Sequence, residues 1–142
     1  MSIEKQAVVV EVTVTASIEK VWQYWTEPEH ITGWNFASND WQCPSATNDL
    51  RVGGVFSARM EAKDGSSGFD FSGTYTEVVP YERIAYVMAG EDARTVDVTF
   101  TDVGHGILVT ETFETETENP IDMQRAGWQA ILDNFKHYVE NT

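Results

Sequence analysis

The 142-residue chain has one cysteine, Cys43, so no internal disulfide framework can hold it together. Basic residues are scarce, 9 against 23 acidic ones, and the net charge is −14. Such a field repels phosphate backbones and anionic lipid, which excludes nucleic acid and membrane surfaces as partners. No apolar run reaches transmembrane length. The start, Met1 to Gln6, has no basic region followed by an apolar stretch, so no signal peptide is read there, and together these features favour the cytoplasm. Metal-ligand spacings of the H-x-x-x-H or C-x-x-C kind are missing, as is a phosphate-binding glycine loop. The expectation is therefore no metal and no cofactor.

With no repeat, linker or low-complexity tract, residues 1–142 read as a single domain. Valines 8, 10, 12 and 14 alternate with other residues as in a strand. Ile18, Val21, Trp22 and Trp25 then recur at helical spacing, with Ser17 or Thr15 as cap and Pro28 limiting the end, and Glu29 to Trp34 makes a second short helical turn. Further on the period changes to two. Phe56, Ala58 and Met60 share one face, as do Phe69, Phe71, Gly73 and Tyr75. Ile84, Tyr86 and Met88 form another set, Val96, Val98 and Phe100 a fourth, and 106–115 closes the series. Turn-forming residues separate these runs: Asp64-Gly65 with Gly68, Pro80 to Glu82, Gly90, and Gly104 to Gly106. One apolar and one polar face per strand describes a half-solvated antiparallel sheet. The acidic run Glu111 to Glu118 reads as a solvated strand end and loop.

The last segment is a long helix, with Asn119 expected as N-cap, Pro120 at its first position and Asp122 at the capping-box position. Apolar residues from Met123 to Val139 cover most of its circumference, so it should be nearly engulfed. Gln124 and Asn134 fall inside the apolar arc. Strands followed by one long helix give an α+β domain whose sheet closes imperfectly around that helix, leaving a pocket.

Several stretches resemble a known family: Thr15 to Trp22 at the strand-to-helix junction, Gly53-Gly54 entering a strand, Asp64-Gly65, Gly73 through Ile84 with Tyr75, Glu77, Pro80, Glu82 and Arg83, and Gly127-Trp128 with Leu132. Together they resemble the START-like (SRPBCC) superfamily, and more narrowly its activator of heat shock protein 90 ATPase homologue branch, close to polyketide cyclase-like proteins. The resemblance implies a helix-grip (Bet v-like/START-like) fold, a curved antiparallel sheet around a C-terminal helix with two short helices after the first strand. It also implies a hydrophobic cavity for lipid-, aromatic- or polyketide-like molecules.

The candidate walls of that cavity are Phe56, Met60, Phe71, Tyr75, Tyr86, Met123, Trp128 and Ile131, with Trp41 near the mouth. Gln124 and Asn134 are the polar groups expected to orient a ligand, because a mostly apolar pocket needs few of them. Trp34 to Pro44 reads as ordinary packing or as a loop gating the mouth. Cys43 has no histidine at a spacing that forces proximity, and Asp70, Asp97 and Arg59 alternate outward, so no catalytic residue is assigned. The expected function is binding of a hydrophobic small molecule, as monomer or homodimer. The alternatives are a co-chaperone that activates a heat shock protein 90 ATPase, against which the acidic charge counts, and a cyclase or hydrolase acting in the same cavity.

Overall fold

The computed structural model describes residues 6–90 and 93–142; the leader reading at Met1 to Lys5 falls outside them. Strand β1 (Ala7–Val14) leads into helices α1 (Ile18–Thr26) and α2 (Pro28–Ile31). Strands β2 (Trp41–Asn48), β3 (Val55–Ala62), β4 (Gly68–Val79), β5 (Arg83–Met88), β6 (Thr95–Asp102) and β7 (Ile107–Glu114) follow, and α3 (Ile121–Asn141) ends the chain. All seven strands form one antiparallel sheet in the order β1-β7-β6-β5-β4-β3-β2. From β2 onward each strand pairs with the next, and α1 and α2 carry the chain from one sheet edge to the other. The result is the expected α+β helix-grip arrangement, with the curved sheet wrapped round α3.

The period-two runs become strands because their apolar sets meet the core. Ile84, Tyr86 and Met88 on β5 and Val96, Val98 and Phe100 on β6 are buried, while their neighbours are partly or fully solvated. Curvature has local causes. A register shift between Tyr75 and Glu77 places a bulge in β4, which bends and twists that strand. At Gly73 a Cβ would stand 2.8 Å from the Val87 carbonyl oxygen and 2.9 Å from the Phe56 ring, so only glycine permits the close approach there.

Strand β2 is an element that the apolar pattern does not single out. It is the sheet edge, contains Pro44, and shifts register between Gln42 and Ser45. Proline is tolerated there because its missing N–H falls at an edge and a bulge.

Helix α1 starts as expected, with the Lys20 N–H donating to Ser17 Oγ at 3.2 Å. Helix α2 begins at Pro28, and single turns continue to Trp34. The start of α3 differs from expectation. Asn119 is not the cap; Pro120 occupies that position and offers no side-chain bond. Instead Gln124 reaches back from inside the helix. Its amide donates to the carbonyls of Asn119 (2.8 Å) and Glu116 (3.2 Å) and accepts from the Glu116 N–H (2.8 Å). With the Asn119 N–H held by the Glu116 carboxylate at 2.6 Å, this segment is tied down before the helix starts.

Helix α3 is also less engulfed than its wheel implies. Its C-terminal half is clasped, with Leu132, Phe135 and Val139 buried. Towards the N-terminal end Met123 is 62% exposed, because that half spans a space rather than resting on the sheet. Phe135 fixes the clasped half. Its ring lies 4.9 Å from both Trp25 and Trp34, edge-on to each, and Trp34 Nε1 donates to the Tyr24 carbonyl at 2.9 Å. Truncating a fully buried Phe removes its transfer energy and leaves a hole. Phe135→Ala is expected to lower stability by about 3–5 kcal/mol in urea denaturation; a loss below about 1 kcal/mol would show that this cluster does not anchor the helix.

Candidate functional site

Under the unclasped half of α3 lies a cavity of about 510 Å³. Its walls come from the inward faces of β3 (Phe56, Met60), β4 (Phe71, Tyr75) and β5 (Tyr86), and from α3 (Met123, Gln124, Trp128, Ile131). Trp41 also lines it, with its ring 6.1 Å from that of Phe69, which is solvent-exposed like Met123 and marks where the space opens. Aromatic rings hold one another in place. Phe56 meets Tyr86 at 4.7 Å and Tyr75 at 5.4 Å, Phe71 faces the Trp128 edge at 6.1 Å, and Trp128 stacks on Phe113 at 4.2 Å and 6°. Rings braced by rings cannot rotate to fill the void, so the space persists.

The structure brings the eight wall residues named from sequence around one space, but only one of the two polar groups. Asn134 does not line the cavity; its amide donates to the Phe36 carbonyl at 2.6 Å and ties α3 to the segment after α2. Gln124 does line it, yet its amide is fully engaged with Glu116 and Asn119. A buried amide takes the nearest backbone groups, since leaving it unpaired costs about 1–3 kcal/mol. The Tyr75 hydroxyl is likewise committed, donating to Asn48 Oδ1 at 2.6 Å while Asn48 Nδ2 donates to the Thr26 carbonyl.

The polar group that sequence reasoning missed is Glu111. Grouped by composition it belongs to the acidic run and reads as solvated; grouped by face it belongs with Ile107, Val109 and Phe113, the buried set of β7. It is 6% exposed, lines the cavity and accepts no hydrogen bond from any described residue. Burial pushes its carboxyl from 4.5 up to about 8, so it is chiefly neutral at pH 7. Tyr86, on the same inward face of the sheet, has its phenol raised by burial and then by the Glu111 charge. At neutral pH the cavity therefore presents two uncharged proton donors. The strict alternation of β7 was the available signal.

Other reactive side chains lie apart. Cys43 is buried, contacts the Ser45 carbonyl at 3.5 Å, and has its thiol pushed up by burial, the opposite of an activated nucleophile. His30 stacks on Tyr24 at 3.9 Å and its Nδ1 meets the Tyr138 hydroxyl at 3.0 Å, which joins α2 to α3. Among the described residues the close set of potential metal-ligating atoms is Glu27, Glu29 and His30, within 4.8 Å of one another. The outward carboxylates pair with arginines: Asp97 and Glu77 with Arg83, Asp70 with Arg59.

Comparison with known families matches residues 15–140 to the family described as activator of Hsp90 ATPase homolog 1-like protein. The chain belongs to this AHSA1-like family. An AHSA1-like protein from Aeromonas hydrophila, solved in solution, is 47% identical over 96% of this chain and 93% of its own, with a TM-score of 0.89. A protein from Cytophaga hutchinsonii is 50% identical over 94% of this chain and 91% of its own, with a TM-score of 0.80. One from Chromobacterium violaceum shares the fold, TM-score 0.85 over 95% of this chain and 98% of its own, at 24% identity. No curated protein matches. AHSA1-like membership places the chain in the SRPBCC superfamily and agrees with a ligand-binding type of cavity. The family's own description names ATPase activation, so the comparisons back the co-chaperone expectation better than the small-molecule one. No helix among the described residues is long and apolar enough to cross a membrane.

The Glu111 proton has a consequence for stability. Its native pKa of about 8 lies above the ordinary 4.5, so between these pH values the folded chain holds a proton that the unfolded chain has released. Stability therefore falls as pH rises through this window, at up to about 1.4 kcal/mol per pH unit, and levels off above about 8. Glu111→Gln is expected to lack this descending limb. Thermal melts of both proteins from pH 5 to 9 check it, and parallel profiles would contradict a buried neutral acid.

Proposed function

We propose that this AHSA1-like chain binds an apolar, ring-bearing small molecule in the cavity beneath the N-terminal half of α3. Single observation carrying the reading is Gly127. It lines the cavity in mid-helix, and a Cβ placed on it would meet nothing within 4 Å. Glycine inside a helix costs about 0.5–1 kcal/mol relative to alanine. Neither close packing nor backbone geometry explains it there; room for a guest does. Braced aromatic walls and a volume within the ordinary range of small-molecule sites point the same way. Phe56, Met60, Phe71, Tyr75, Tyr86, Met123, Trp128 and Ile131 would supply apolar contact, with Trp41 beside the opening. A cytoplasmic setting, where the lone Cys43 stays a thiol, completes the proposal.

The second reading is activation of an Hsp90-type ATPase, and the family match favours it over the first. The two separate on one substitution. A Cβ at position 127 meets nothing within 4 Å, so Gly127→Leu adds its side chain to the cavity from the helix side. Wild type is expected to show saturable quenching of tryptophan fluorescence by flavonoids or fatty acids, since Trp25, Trp34, Trp41 and Trp128 all line the space. Gly127→Leu should weaken that binding at least tenfold, by about 1.4 kcal/mol or more, with an unlowered melting temperature. Stimulation of an Hsp90 ATPase that is equal in wild type and Gly127→Leu, together with no quenching by any compound, would overturn the small-molecule reading in favour of the co-chaperone.

A further inference from the structure

We infer that Glu111 is a ligand-anchoring residue and that the cavity selects apolar ring compounds carrying a neutral oxygen, above all a carbonyl, over hydrocarbons. The inference rests on the small-molecule reading and adds the chemistry of its ligand.

A hydrophobic core gains nothing from a glutamate in the inward register of its sheet. Across the sheet Glu111 stands between Val10 of β1 and Val98 of β6, neither of which offers a polar side chain. The carboxyl lines the cavity wall and takes no hydrogen bond from any described residue. Its oxygens are not sealed off but reachable from the cavity, where water or a guest completes them, since an unpaired carboxyl costs about as much as a lost hydrogen bond. The open side of Glu111 is the cavity, so a guest oxygen entering there takes over that bond from water.

The protonation state decides which guest. A neutral carboxyl donates through its O–H, and its best partner in an apolar space is an uncharged acceptor such as a ketone oxygen. The Tyr86 phenol is a second neutral donor in the same cavity. A phenol and a protonated acid facing one apolar pocket is the arrangement that binds a carbonyl oxygen as it gains negative charge in ketosteroid isomerase. Here it is argued only for binding. The titratable groups that line the cavity with Glu111 are Tyr86 of β5, Tyr75 of β4, Arg94 just before β6 and Glu116 just after β7; the cavity-lining side chains of α3 contribute none. Both phenols have raised pKa values, so Glu111 is the group that changes state as pH passes about 8.

Fluorene and fluorenone share one tricyclic skeleton and differ in a methylene against a carbonyl. Calorimetric or fluorescence titration at pH 6.5 is expected to show fluorenone binding about two- to tenfold more tightly, the range of one net hydrogen bond. Glu111→Leu should bind fluorene at least as well and lose the preference. Glu111→Gln, whose amide also donates, should keep it. At pH 9.5 the wild type should lose the preference through ionisation, while Glu111→Gln keeps it. Equal binding of the two probes by the wild type at pH 6.5 overturns the anchoring role alone. Failure of both probes to bind overturns the small-molecule reading together with it. A preference that survives in Glu111→Leu assigns the carbonyl to another group and also overturns the inference.

Discussion

One helix has to cover the concave face of a seven-stranded sheet, and it is too slender to do so. Strands sit about 4.8 Å apart, so seven spread over roughly 30 Å, whereas a helix with its side chains is about 10–12 Å thick. Bending at the β4 bulge and at Gly73 brings the far strands round α3 without closing the gap. The chain settles the mismatch unevenly. Phe135, set against Trp25 and Trp34, clamps the C-terminal half of α3, and the shortfall is concentrated under the other half. Were it spread along the whole helix, no single void would hold a molecule.

The concentrated void governs the chemistry around it. Aromatic side chains line it in mutually braced positions, which keeps it open and low in dielectric. That dielectric, rather than any neighbouring charge, is what raises the Glu111 carboxyl. It also explains the division of labour among polar side chains. Gln124, Asn134, Tyr75 and Asn48 are bound to protein groups and hold elements together, whereas Glu111 faces the space. Stability and recognition thus fall to different residues. Glycine at position 127 belongs with Glu111: each departs from what a well-packed core prefers, and both departures border the same void.

Much of the architecture was legible in alternation and in the breadth of the apolar arc on the last helix, because facing is set by local periods of two and 3.6 residues. The misses share a physical cause. Strand β2 is an edge with Pro44 and a register shift, so its apolar alternation is broken where the sheet needs it least. The start of α3 depends on Gln124 folding back onto Asn119 and Glu116, a tertiary bond that overrides the capping preference of Asn119. The helical arc placed Gln124 and Asn134 inward correctly, but an angle on a wheel does not say whether a side chain meets a carbonyl or a cavity. Glu111 was hidden by its company, since the acidic residues Glu114, Glu116 and Glu118 that follow it in sequence mask its place beside Ile107, Val109 and Phe113 on one face.

Everything above depends on the space beneath α3 being apolar enough to keep the Glu111 carboxylic acid protonated. Following the Glu111 side-chain carboxyl carbon by NMR across a pH titration of the ligand-free protein tests this most directly. A midpoint near 8 is expected, well above the ordinary 4.5. A midpoint at the ordinary value would mean that the cavity is wet and its acid charged, and the structure would then hold no dry site for a guest.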